Sequence, residues 1–139
     1  ILKMRPKHKG VDFKAPIGTK LYLPFRSRVV RTTWNFRYNG NCLEVAPLHK
    51  PNLRIMFLHL QKIADSVKVG RVLPANEVIG YVGNTGRSTA PHLHYQIMDG
   101  RKVIDPFRFH ETYTRALPEE QRAAFQQHRR QLDLQFPTR

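Results

Sequence analysis

Acidic residues are scarce in this chain: 10 Asp and Glu stand against 24 Lys and Arg, a formal net charge of +14 over 139 residues. The imbalance sits in the main body, where residues 1–110 hold 19 basic and 6 acidic side chains, and not in residues 111–139, where 5 face 4. A surface of that sign attracts polyanions such as nucleic acid, anionic lipid or acidic cell-wall polymers, without choosing among them. Cysteine is nearly absent. The single Cys42 excludes an internal disulfide and a metal site built on several thiolates, and its apolar setting, "NCLEVAP", makes it a small core residue. Also missing is any run of about 20 apolar residues, the length a membrane-spanning helix needs. No signal-peptide pattern is present, and no repeat or low-complexity segment. A first residue of Ile, not Met, suggests a mature form or a fragment.

What the chain does have is short β-type runs separated by turn residues. "TKLYLPF" (19–25), "RVVRTTWNFRY" (28–38), "CLEVA" (42–46), "RIMFLHL" (54–60), "VKVGRVL" (67–73) and "EVIGYVG" (77–83) all read as strands. In the second of these Trp34, Phe36 and Tyr38 alternate, as residues packing one sheet face would, and "NGN" at 39–41 reads as a tight hairpin turn into the next strand. "HLHYQIM", a "DG" turn and "RKVID" read as a final hairpin. The expected fold is mainly β: an antiparallel sheet arranged as a sandwich or a partly open barrel, the pattern leaving both possible. Residues 118–132 differ. Pro118, followed by Glu119 and Glu120, suits a helix start, and Phe125 and Leu132 share a face, so a C-terminal helix is expected there.

Seven histidines carry the chemical signal. In "STAPHLHYQI" (88–97), His92 and His94 are two apart, so on a strand both imidazoles stand on one face while Leu93 points to the other. Two imidazoles side by side are costly to bury without partners, and they are good metal ligands and proton carriers. "HKGVD" supplies His8 and, four residues on, Asp12, a carboxylate flanked by the apolar Val11 and Phe13. His59 closes an apolar strand, where a hydrogen-bonded core histidine is the ordinary reading. Each piece alone is weak. Together, two imidazoles, a carboxylate and an open position make a catalytic zinc site, with two further histidines left for proton transfer and for holding an oxyanion.

"HKGVDFKAPIGT", "FLHL" and "VIGYVGNTGRSTAPHLHYQI", in that order and spacing, resemble the M23 (LytM/lysostaphin-type) zinc metallopeptidases over about residues 8–106. The Gly-rich turn before the histidine pair and the "LP" helical extension are similar to the Gram-negative murein DD-endopeptidases of that family. The resemblance implies one Zn²⁺ per chain, with His8, Asp12 and His94 as ligands and His59 and His92 as catalytic histidines. It implies a zinc-dependent endopeptidase acting on peptide cross-links of bacterial peptidoglycan, in the periplasm or cell envelope. The other readings are a catalytically inactive LytM domain that binds the wall or activates an amidase, and a nucleic-acid-binding module. The first conflicts with the presence of all five motif positions. The second lacks an aromatic and basic motif. The family also implies a strand upstream of the first ligand. Residues 1–110 are therefore expected to form a peptidase domain lacking its N-terminal strand, completed by an upstream domain or second chain, with 111–139 as a helical extension. His49, His110 and His128 are assigned to loop, surface or packing roles. Arg87, beside the Gly-rich turn, is assigned to solvent.

Overall fold

The computed structural model describes residues 9–114. Nine strands hydrogen-bond into one antiparallel sheet: β1 (Val11–Lys14), β2 (Lys20–Tyr22), β3 (Ser27–Thr32), β4 (Asn41–Pro47), β5 (Leu53–Ile63), β6 (Val72–Leu73), β7 (Val78–Val82), β8 (His92–Asp99) and β9 (Lys102–Ile104). The main path runs β1-β8-β5-β4-β3-β6. β7 joins β5 to β2, and β9 pairs with β8. The sheet is not closed, which leaves the mainly antiparallel expectation standing.

Alternation along the central strands decides the two faces. On β8, Leu93, Tyr95 and Ile97 enter the core. They meet Ile55 and Phe57 of β5 and, beyond those, Leu43 and Val45 of β4 in register. Fully burying each such side chain contributes about 1.5–3 kcal/mol, so this face holds the sheet and leaves the opposite one free to be polar. The opposite face carries His94, Gln96 and, across β5, Glu44 of β4. Glu44 is buried. An unpaired carboxylate there would be costly, and Arg31 Nε bonds one oxygen while Arg54 Nε lies 3.6 Å from the other. The Arg31 guanidinium also stacks 4.0 Å over the Trp34 ring. Cys42 is buried, as its sequence setting predicts.

The expected strand over 28–38 ends at Thr32. Thr33 and Asn35 take left-handed φ angles of 44° and 51°, and the chain turns into a one-turn helix, α1 (Phe36–Asn39). Asn39 Nδ2 donates to Trp34 O, and Gly40, at φ 65°, closes the helix with its N–H on Phe36 O. The Asn-Gly pair therefore ends a helix instead of turning a hairpin, and Phe36 and Tyr38 are exposed instead of packing one sheet face. β3 and β4 still pair, as hairpin strands do, across this longer connection. The run 67–73 shrinks to the two residues of β6.

Sequence reasoning also missed α2 (Pro106–Thr114). Its signal was present: Asp105 Oδ1 accepts the N–H of Phe107, and Pro106 occupies the first helical position, where no amide donor is lost. The helix expected at 118–132, and His128 within it, lie outside the described residues.

Candidate active site

β1 and β8 pair so that Asp12 stands opposite His94 and Lys14 opposite His92. Cross-strand partners point to the same face, and Asp12 Oδ1 comes to 2.8 Å from His94 Nδ1 and 3.8 Å from His92 Nε2. The close approach of β1 requires a residue without a side chain at position 10. A Cβ on Gly10 would sit 2.5 Å from Tyr95 O and 2.9 Å from His94 Nε2. His94 Nε2 lies 3.1 Å from Gln96 Oε1 and its Nδ1 lies 2.8 Å from Asp12 Oδ1. Both oxygens only accept, so either ring nitrogen can donate its proton, and the tautomer that donates to Gln96 would leave Nδ1 to share a cation with Asp12. Such an outer partner fixes the tautomer of an imidazole that ligates through its other nitrogen. Gln96 was not singled out by sequence reasoning. The period-2 continuation His92, His94, Gln96 was the available signal.

His59 reaches the same face by a different device. Asn41 pairs with Leu60 and Leu43 with Phe57, so two steps along β4 match three along β5. This β-bulge re-aims the strand, and His59 occupies it at φ 65°, left-handed for a non-glycine residue. The His59 ring lies 4.9 Å from that of His92 and 6.2 Å from that of His94, centroid to centroid. His59 Nδ1 donates to Thr85 O at 2.9 Å, and His92 Nδ1 donates to Ala90 O at 2.7 Å with Ser88 Oγ at 3.1 Å. Both rings therefore turn Nε2 outward as the basic nitrogen. Burial pushes the His59 pKa below the ordinary imidazole value, opposed by its bond to Thr85 O and reinforced by His92 and His94. The depressed value keeps this ring neutral at pH 7.

The structure thus brings together Asp12, His59, His92 and His94. His8 lies outside the described residues, and among those residues no three His, Cys, Asp or Glu side chains form a metal-holding group. His49 and His110 are elsewhere, both against Phe25, His49 tilted and His110 stacked, with His110 also 3.1 Å from the Tyr95 hydroxyl on the core side of β8.

Residues 6–106 match the model of peptidase family M23. The chain is 34% identical over 133 residues to the peptidoglycan DD-endopeptidase ShyA of Vibrio cholerae, covering 96% of this chain and 30% of that protein. It is 39% identical over 94 residues to lysostaphin of Staphylococcus simulans, covering 66% and 18%. Among solved structures, the catalytic domain of the antimicrobial peptidase lysostaphin from Staphylococcus simulans superposes with a TM-score of 0.66 at 36% identity, over 73% of this chain and 77% of that one. A zinc containing peptidase from Vibrio cholerae gives 0.63 at 32%, over 70% and 28%. The chain belongs to peptidase family M23. Within it the chain is similar to Gram-negative DD-endopeptidases as well as to lysostaphin, and it spans less than a third of the length of the two curated relatives.

Proposed function

We propose that this chain is a zinc-dependent endopeptidase that hydrolyses peptide cross-links of bacterial peptidoglycan in the periplasm or cell envelope. The observation that carries the reading is the carboxylate and imidazole donor pair of Asp12 and His94, 2.8 Å apart, beside two imidazoles whose Nδ1 protons are tied to backbone carbonyls. A carboxylate oxygen and a neutral imidazole nitrogen suit zinc, and two or three such ligands leave room for substrate. Asp12 and His94 would hold the ion with His8, one ion per chain. When bound, zinc supplies Lewis-acid polarisation and lowers the pKa of a water from 15.7 toward about 7.

The protein's own residues do the rest. His59 and His92 present Nε2 to the reacting groups. One accepts the proton of the attacking water. That histidine then passes the proton to the leaving amine, while the other, protonated at Nε2 from solvent, would hydrogen-bond the developing oxyanion, each contribution being about 10²–10⁴-fold. The 4.9 Å spacing of the two rings lets both reach one scissile bond. The excess of basic residues over 1–110 suits an anionic wall polymer. We assign residues 1–110 to the peptidase domain and 111–139 to an extension of it.

The test is metal analysis of protein purified without chelator, with digestion of a cross-linked muropeptide dimer followed by mass spectrometry. One zinc per chain and release of monomers are expected. A folded, metal-free protein that leaves the dimer intact refutes the reading.

A further inference from the structure

The bulge that aims His59 leaves a gap in the ladder between β4 and β5, and the chain fills it with one side chain from a remote turn. Thr85 Oγ1 donates to Leu60 O at 2.6 Å and accepts the N–H of Asn41 at 3.0 Å. These are the backbone groups of the Asn41–Leu60 pair that follows the bulge. The same residue's carbonyl accepts the His59 Nδ1 proton at 2.9 Å. A single residue thus closes the bulge through its side chain and orients the imidazole through its backbone.

Thr85 can come so close because the two turns that cross here are stripped of side chains. A Cβ on Gly40 would lie 2.2 Å from Thr85 Oγ1, and one on Gly86 would lie 2.3 Å from Gly40 N. Both glycines also hold left-handed φ angles, 65° and 73°, which L side chains rarely adopt. Arg87 N–H on Tyr38 O, at 3.0 Å, and Asn41 Nδ2 on Gln61 O, at 2.9 Å, stitch the crossing on either side.

We infer that Thr85 is the positioning residue for His59: its hydroxyl, by bridging Leu60 O and Asn41 N–H, sets where its own carbonyl sits and so which way His59 Nε2 points. The inference rests on the peptidase reading for its kinetic consequence, but the hydrogen bond is observable without any activity. Thr85→Val keeps the shape and removes both hydroxyl bonds. Thr85→Ser restores them.

The experiment compares wild type, Thr85→Val, Thr85→Ala and Thr85→Ser, all zinc-loaded, by two readouts. The first is the His59 Nδ1–H resonance in ¹⁵N-histidine-labelled protein, assigned with His59→Ala. It is expected to be protected in wild type and Thr85→Ser, and lost or rapidly exchanging in Thr85→Val and Thr85→Ala. The second is cleavage of a muropeptide dimer. kcat is expected to fall about 10–100-fold in Val and Ala, as for a reacting group displaced by up to 1 Å, with KM and zinc content unchanged, and Ser should return within a few-fold of wild type. A protected His59 resonance in a folded Thr85→Val or Thr85→Ala variant overturns the inference, as does failure of Ser to restore it. If wild type cleaves nothing, the peptidase reading fails, while the resonance still decides the role of Thr85.

Discussion

Gly10→Ala tests the geometry at its tightest point. Gly10 precedes Asp12 by two residues on the segment that lies against β8, and an added Cβ would meet Tyr95 O at 2.5 Å and His94 Nε2 at 2.9 Å. Real Cβ atoms essentially never approach a heavy atom within 3.0 Å, so the start of β1 has to move away by about 0.5 Å or the His94 ring has to turn. Either motion widens the Asp12 to His94 separation of 2.8 Å. Metal sites tolerate about 0.2 Å in ligand distance, and disturbing the support of a ligand typically costs about 10–100-fold in metal affinity, equivalent to about 1.4–2.8 kcal/mol. The fold should survive, because β1 is a four-residue strand paired, among the described residues, with β8. The assay is zinc competition against a chromophoric chelator, with thermal melting of the apo proteins alongside. Gly70→Ala is the control, since nothing lies within 4 Å of a Cβ there. It should not share the loss: its own left-handed φ of 86° costs stability, but it lies beside β6, at the opposite end of the sheet path from β1. Gly10→Ala binding zinc within about twofold of wild type would refute the reasoning.

Two further outcomes follow from the same geometry. His94→Ala should lose zinc while His59→Ala keeps it, with both losing cleavage, because His94 Nδ1 faces the Asp12 carboxylate and His59 Nδ1 is committed to Thr85 O. Zinc loss from a folded His59→Ala would break that division of roles. Burial among Phe25, Phe109 and Tyr95 pushes the His110 pKa below the ordinary imidazole value of about 6.5. On acidification the unfolded chain takes up this proton first. Stability from the neutral ring is therefore full above about pH 6.5 and is lost as pH falls from there toward the depressed folded value. Urea melts at several pH values, compared with His110→Gln, which does not titrate, should show a flatter acid limb in the variant. Identical limbs would contradict the assignment.

For the candidate site, which side chains share a face was legible in the sequence, because a strand's period of two is a local property. "HLH" places His92 and His94 on one face wherever that strand is built, and the Val-Asp-Phe alternation turns Asp12 away from the core in the same way. Composition and turn residues likewise carried the mainly antiparallel sheet. The sequence alone did not show what brings these faces into one place. That Asp12 stands opposite His94 is a matter of register between strands far apart in the chain, and register is set by which apolar faces find each other in the core. His59 is the sharper case. Its strand alternation places it on the core face with Ile55 and Phe57, and the bulge against β4, closed by Thr85 from another turn, sets its buried ring beside His92 instead. The Asn-Gly pair at 39–40 shows the converse. Local preference allowed a hairpin, but Gly40 is held against Thr85 and Gly86, and that tertiary contact makes the pair a helix terminus instead. Chemistry and strand faces are encoded residue by residue. Their convergence on one site depends on long-range pairing and close backbone crossings, which no local pattern specifies.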